Sequence, residues 1–143
     1  MIEYKHQFRV AYPDTDKMGT VHHSVYPKYY EIARWELFRS IGISYKLIED
    51  RGYMIPVLGM NFKFIKTTHY DELLTVVTTL KSVKGVRLVF SYQLYNENNE
   101  LINEAETDLA FVVASTWKPC AVPDFVLHAI QQHSRKQVLS VSN

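Results

Sequence analysis

Residues 24–42 read SVYPKYYEIARWELFRSIG, and this stretch decides the architecture of the chain. Its apolar residues recur at spacings of four and three, which is the period of one face of an α-helix. They are Tyr26, Tyr30, Ala33, Leu37 and Ile41. Trp35 and Phe38 widen this apolar face. We therefore expect a helix of about four turns that other elements cover on more than one side.

The residues at the two ends of this stretch are typical of helix termini. Ser24 is the expected N-cap, because its hydroxyl can accept a hydrogen bond from a backbone N–H of the first turn. Pro27 fits the first turn, where a missing N–H costs nothing, and Gly42 is the expected stop. A second, short helix is predicted over residues 44–50, with the serine at its start as cap and Gly52 as stop.

The remaining segments carry strand patterns. One strand opens the chain and ends at Pro13, and four more segments rich in β-branched and aromatic residues follow the helices. These four are residues 53–66, 73–83, 86–96 and 101–114. Short turns separate them, so we expect consecutive strands to pair as an antiparallel meander, with a C-terminal helix after Pro123. The predicted fold is α+β, with an antiparallel five-stranded sheet wrapped around the one long helix.

Size and composition exclude several classes of protein. The 143 residues suit a single domain over residues 1–143, and a net charge of +1 without a basic run argues against nucleic-acid binding. The sequence shows no apolar run as long as a membrane span and no leader pattern, so a cytoplasmic location is expected. The histidines and Cys120 lack ligand spacing, and glycine-rich nucleotide loops are absent. We therefore expect no metal and no cofactor.

Ahead of the long helix, residues 12–23 read YPDTDKMGTVHH and place two carboxylates, Asp14 and Asp16, two positions apart. One interpretation is an acidic turn, since aspartate favours turns for local hydrogen-bonding reasons. The other is an active site. The segment leads to a helix N-terminus, whose unpaired N–H groups and positive dipole end favour an oxyanion. A carboxylate facing that end can attack an acyl carbonyl or activate water. We favour this second interpretation.

The longer stretch YPDTDKMGTVHHSVYPKYYEIARWELFRSIGIS, residues 12–44, resembles the signature of the 4-hydroxybenzoyl-CoA thioesterase family. These are hotdog-fold acyl-CoA thioesterases, and the similarity is greatest to their Tol-Pal-associated branch. In that family a DxD pair and a glycine precede a tyrosine-bearing helix with an E-x-A-R turn, which here begins at Glu31. The resemblance continues through MNFKFIKTTHYDELLTV at 60–76 and WKPCAVPD at 117–124, so it covers nearly the whole chain.

The resemblance implies roles for particular residues. Asp16, the second acid, would be the nucleophile or general base; the backbone N–H of His23 would polarise the thioester carbonyl, and Tyr12 and the His23 side chain would line the site. The implied substrate-binding residues are Asp14, Gly19, Val21, Tyr26, Glu31, Gly59 and Met60. In the family the site lies at a dimer interface, so Glu31, Arg34 and residues 57–60 would come from a neighbouring subunit.

The activity implied by the resemblance is hydrolysis of an acyl-CoA thioester to free acid and CoA, without metal or cofactor. The expected assembly is a homo-oligomer, a dimer or a dimer of dimers. The cations available to the CoA phosphates are Lys63, Lys66, Lys84, Arg87 and Lys118, although for each alone we favour a solvated surface role over phosphate binding. An acyl-carrier-protein thioesterase and a non-catalytic acyl-thioester-binding protein remain as alternatives. Val25 replaces an asparagine common in the family, which affects the expected substrate preference.

Overall fold

The computed structural model describes residues 2–142. The helices are α1 (Tyr26–Ser40), α2 (Tyr45–Asp50) and α3 (Asp124–Ser142). The strands are β1 (Ile2–Arg9), β2 (Tyr53–Met54), β3 (Val57–Phe64), β4 (Leu73–Lys84), β5 (Arg87–Tyr95), β6 (Leu101–Ala110) and β7 (Val112–Val113). Two 3₁₀ turns, Tyr12–Asp14 and His23–Val25, lie between β1 and α1.

Five of the strands form one antiparallel sheet in the order β1-β4-β5-β6-β3, and β2 pairs with β7 separately. The predicted fold class, a five-stranded antiparallel sheet with one long helix, is confirmed. The expected meander is confirmed for β4, β5 and β6, which pair consecutively, but it is wrong for its first strand, because β3 pairs with β6 and not with β4. The edge of β4 is taken by β1, with Ile2 opposite Leu80, so β3 occupies the far edge of the sheet.

The core lies between α1 and the sheet. Tyr30, Leu37 and Phe38 of α1 are fully buried, and they meet buried side chains of the sheet such as Phe90 and Tyr92. The ring centroids of Tyr30 and Tyr92 are 4.5 Å apart and those of Phe38 and Phe90 are 5.7 Å apart. The buried residues of α1 form one wide face, and the expectation of a helix covered on more than one side stays a prediction.

Some of the predicted helix ends are confirmed and one is wrong. Gly42 follows α1 with a φ of +83°, a left-handed conformation that suits glycine, and the Ser44 hydroxyl accepts the Leu47 N–H at 3.1 Å at the start of α2. Ser24 does not cap α1. The preceding 3₁₀ turn is capped by the side chain of His22, which accepts the Ser24 N–H.

The first strand also ends earlier than predicted. β1 stops at Arg9, and Pro13 lies in the 3₁₀ turn Tyr12–Asp14 that follows. The backbone N–H and C=O of Val10 bond to Glu72 O and Asp71 N–H, which binds the end of this strand to the turn before β4. The chain therefore leaves the sheet at Arg9, well before the two aspartates.

A truncation of the helix core tests this packing. Leu37→Ala removes a side chain with 0% exposure, and we expect it to lower the free energy of unfolding by about 3 kcal/mol. The measurement is denaturant unfolding beside Met18→Ala, whose side chain is 81% exposed and should cost less than about 1 kcal/mol. Equal effects of the two substitutions would contradict the assignment of Leu37 to the core.

Candidate active site

The two aspartates lie in a compact loop between β1 and α1. Within it, the Asp16 N–H bonds to Thr20 O at 2.9 Å and the Gly19 N–H bonds to Asp16 O at 3.0 Å, which forms a tight hairpin. Gly19 has a φ of +79°, a conformation that a residue with a Cβ rarely adopts. The glycine after the DxD pair therefore serves the turn that carries Asp16.

The Asp16 carboxylate is surrounded by hydrogen-bond donors of its own hairpin. Its Oδ1 accepts the Met18 N–H at 2.9 Å and the Thr20 N–H at 3.3 Å, and the Thr20 hydroxyl donates to Oδ2 at 3.2 Å. Partial desolvation raises the pKa of Asp16, but these donors and the nearby His22 outweigh it, so the pKa lies below its ordinary value of 3.8. Asp16 is therefore an ionised carboxylate at neutral pH.

Asp14 has a different environment and is buried. Its carboxylate accepts a hydrogen bond from Lys28 Nζ at 2.6 Å and another from the Tyr29 hydroxyl at 3.0 Å. Burial and the bond to Asp14 raise the pKa of Tyr29, which remains a neutral donor. The Asp14 backbone carbonyl also accepts the His22 N–H at 3.1 Å. Asp14 therefore ties the loop to the first turn of α1.

At the start of the helix, one backbone N–H has no hydrogen-bond acceptor among residues 2–142. In the 3₁₀ turn His23–Val25, the Ser24 N–H bonds to His22 Nδ1 and the Val25 N–H bonds to His22 O. Within residues 2–142 the backbone N–H of His23 has no hydrogen-bond acceptor. It lies at the positive end of the α1 dipole, so it is available to an oxygen that gains negative charge.

This open amide belongs to a residue that lines a cavity of about 370 Å³. The lining residues are Val21, His23, Tyr26, Phe64, Ile65, Lys66 and Thr67. The structure thus brings together three predicted site residues, Val21, His23 and Tyr26, at the helix start. The rings of Tyr26 and Phe64 meet edge to face at 5.5 Å and form an aromatic wall.

Sequence reasoning missed the contribution of the segment that follows β3. Phe64, Ile65 and Thr67 were not among the predicted site residues, and Lys66 was considered only as a partner for phosphates. Phe64 and Ile65 are large apolar side chains that stay exposed, which is a signal of a binding surface. The sequence gives no local sign of that exposure, because it follows from the position of β3 at the sheet edge.

Other predicted site residues lie outside this cavity. Tyr12 is 72% exposed and packs edge to face on Tyr70 at 5.5 Å. Glu31 is exposed on α1, and Gly59 and Met60 are exposed on β3. Asp14, together with Lys28, Tyr29 and neighbouring residues of β1 and α1, lines a second cavity of about 290 Å³.

Arg34 does not have the position that the resemblance implied. It is 3% exposed and donates to the Tyr92 hydroxyl at 3.1 Å, inside the core of its own subunit. The E-x-A-R turn therefore contributes its arginine to the packing of α1 on β5.

Among residues 2–142, the other candidate cations and Cys120 give no sign of a second catalytic site. Lys63, Lys66 and Arg87 pair with the carboxylates of Glu104, Glu100 and Asp108. Burial raises the pKa of the Cys120 thiol, which disfavours the nucleophilic thiolate. In the part of the chain that the structure describes, no three His, Cys, Asp or Glu side chains are grouped to hold a metal ion. No helix among residues 2–142 is long and apolar enough to cross a membrane.

Comparison with known proteins gives the family. A model of the thioesterase-like superfamily matches residues 10–130. The putative acyl-CoA thioesterase YneP of Bacillus subtilis is 31% identical, over 92% of this chain and 97% of YneP. The acyl-CoA thioester hydrolase YbgC of Escherichia coli is 32% identical, over 87% of this chain and 92% of YbgC. The crystal structure of DHNA-CoA thioesterase from Staphylococcus aureus superposes with a TM-score of 0.87 at 29% identity, over 99% of this chain and 95% of that one.

A five-stranded antiparallel sheet around one long helix, with a cavity at the helix start, defines the hotdog class of protein. Within that class the chain belongs to the thioesterase-like superfamily. The expected family is confirmed, and the chain is a thioester hydrolase.

The hydrogen bonds of the hairpin make the ionisation of Asp16 testable. Thr20→Val removes a hydroxyl that donates to the carboxylate, and we expect the pKa of Asp16 to rise towards 3.8. A nuclear magnetic resonance titration of the Asp16 carboxyl carbon measures this. Thr15→Val is the matched control, because its hydroxyl bonds to Tyr12 O and not to Asp16. An unchanged titration in Thr20→Val would contradict the assignment.

The direction of the shift has a consequence for stability. A carboxylate whose folded-state pKa is lowered contributes stability above its unfolded-state pKa, and loses that contribution as the pH falls through the lowered value. The hairpin around Asp16 is therefore expected to be fully formed at neutral pH and to weaken only under acidic conditions.

Proposed function

We propose that this protein hydrolyses acyl-CoA thioesters to a free acid and CoA, with Asp16 as nucleophile or general base. The observation that carries the proposal is the unpaired His23 N–H at the start of α1, on a residue that lines an apolar-walled cavity. An N–H in this position suits the carbonyl oxygen of a thioester, which becomes negative as the carbonyl is attacked. Two residues, Val21 and His22, separate this helix start from the hairpin that carries the ionised Asp16, which itself lies outside the cavity lining.

The reaction balances by either of two routes. As a nucleophile, Asp16 would bond to the acyl carbon and expel the CoA thiolate, and water would then hydrolyse the mixed anhydride. As a general base, Asp16 would take a proton from the water that attacks the acyl carbon, and the thiolate would leave with a proton. In both routes the His23 N–H would stabilise the oxyanion, and the α1 dipole would add to that effect.

The relatives support the choice of substrate class. YneP and YbgC are named as acyl-CoA thioesterases, and both align with this chain over nearly their whole length. The cavity suits an acyl group on chemical grounds, because Tyr26, Phe64 and Ile65 give it an apolar wall.

Replacement of the proposed nucleophile tests the assignment. Asp16→Asn keeps the shape of the side chain and removes its negative charge, so we expect roughly a thousandfold loss of kcat. The measurement is thiol release from a panel of aromatic, short-chain and long-chain acyl-CoAs.

Asp50→Asn is the control for this experiment, because Asp50 is an exposed carboxylate on α2 that pairs with Lys46 and lies outside the cavity. Its rate should equal that of the wild type. Release at the wild-type rate by Asp16→Asn would end the proposal for Asp16. A wild-type protein that releases no thiol from any CoA ester, but does so from acyl-carrier-protein esters, would favour the carrier-protein alternative.

We also propose that the protein is a homodimer joined through β3. This strand lies at the sheet edge, pairs with β6 alone in the described part of the chain, and has exposed apolar side chains. They are Val57, Leu58, Met60 and Phe64, followed by Ile65. An uncovered apolar edge of this kind favours pairing with another strand, and a twofold axis lets identical edges pair with each other. Such a dimer would bring Gly59 and Met60 towards the partner's site.

The dimer predicts a solution mass of about twice the 16.7 kDa of one chain, measured by light scattering. Met60→Lys should shift the protein towards the monomer, because a buried unpaired charge opposes strand pairing. Gln93→Lys is the control, since Gln93 is exposed on β5 away from the sheet edge. A wild-type protein with the mass of a monomer would exclude this assembly.

A further inference from the structure

His22 controls which amide groups remain open at the start of the long helix. Its Nδ1 accepts the Ser24 N–H at 3.2 Å, and its carbonyl accepts the Val25 N–H at 3.0 Å. Of the three amides in the turn His23–Val25, two are therefore bonded to His22, and no acceptor among residues 2–142 reaches the His23 N–H. One residue thus decides which donor is presented to a ligand.

The position of the His22 ring is fixed by several contacts. Nδ1 lies 2.8 Å from Ser24 Oγ, and the ring packs against that of His23 with centroids 4.2 Å apart and planes inclined by 32°. The His22 N–H bonds to Asp14 O at 3.1 Å, and the Asp14 side chain is itself held by α1. The loop, the ring and the first turn of the helix therefore form one connected unit.

The hydrogen bond from the Ser24 N–H places a requirement on the tautomer of the ring. A backbone N–H can only donate, so this bond needs an Nδ1 without a proton, and the Ser24 hydroxyl, 2.8 Å from the same atom, then donates to it as well. A doubly protonated imidazole would lose this acceptor. Histidine is an uncommon cap, since serine, threonine, aspartate and asparagine are the usual residues at such positions.

We propose that His22 is a positioning residue, which caps the Ser24 and Val25 amides so that the His23 N–H alone faces the substrate carbonyl. This inference rests on the proposed function of the His23 N–H. His22 acts through its neighbour and makes no contact with the reacting atoms. Its effect should appear in the transition state, where the oxyanion needs a correctly directed donor.

Three substitutions of His22 separate the effect of its hydrogen-bond acceptor from the effect of its aromatic ring. His22→Asn keeps a side-chain oxygen that can accept the Ser24 N–H, and we expect kcat within about threefold of the wild type. His22→Phe keeps an aromatic ring against His23 but has no acceptor, and His22→Ala has neither. We expect both to lose roughly tenfold in kcat with little change in KM, because a misdirected donor weakens transition-state binding.

A second measurement does not depend on activity. Hydrogen exchange of the Ser24 amide should be slow in the wild type and in His22→Asn, and fast in His22→Phe. The Leu47 amide is the internal control, because the Ser44 hydroxyl caps it at 3.1 Å in another helix. Its exchange should not change in any variant, and faster exchange there would reveal general unfolding.

The outcomes separate this inference from the proposed function. Equal protection of Ser24 in the wild type and in His22→Phe overturns the inference whether or not the protein is active. The inference about His22 is also overturned if the wild type is active and His22→Phe has the same kcat. It is likewise overturned if the kcat of His22→Asn is as low as that of His22→Ala. Both results leave the proposal for Asp16 intact. A wild type without thioesterase activity overturns the presentation of His23 to a thioester, even if the Ser24 cap is confirmed.

Discussion

The packing of α1 against one face of the sheet is the contact on which the rest of the structure depends. Tyr30, Leu37 and Phe38 lose all their exposed surface in it, and burial of large apolar side chains is the main source of folding free energy. The same contact fixes the axis of the helix. It therefore also fixes the position of the helix N-terminus, where backbone N–H groups lack partners within the helix. The packing of the core therefore also determines where the unpaired His23 N–H and the cavity beside it lie.

The two aspartates show how one short motif serves two purposes. Asp14 is buried and bonded to Lys28 and Tyr29, so it fixes the loop on the helix. Asp16 is held by donors of its own hairpin, which favour its ionised form. The donors around Asp16 keep it ionised at neutral pH and at the same time reduce its basicity, whereas Asp14 anchors the loop that positions it. The proposed chemistry of Asp16 therefore depends on the structural role of Asp14.

The apolar edge strand β3 connects the fold to the proposed assembly. Its apolar side chains are left about half exposed in the single chain, and Phe64 at its end forms one wall of the cavity. A site built at a sheet edge is open on one side, and a second copy of the chain paired with that edge would close it. Assembly and catalysis would then depend on the same strand.

The sequence by itself determined the elements whose signals are local. The spacing of Tyr26, Tyr30 and Leu37 predicted α1, Ser44 and Gly42 marked helix ends, and the DxD pair marked the loop. Tertiary structure decided the rest: β3 pairs with β6, His22 replaces Ser24 as cap, and Phe64 meets Tyr26. The physical reason is that strand pairing and cavity walls join residues far apart in the chain, and their energies depend on which edges remain free. Periodicity and caps depend only on neighbours within a turn, so a single sequence can show them.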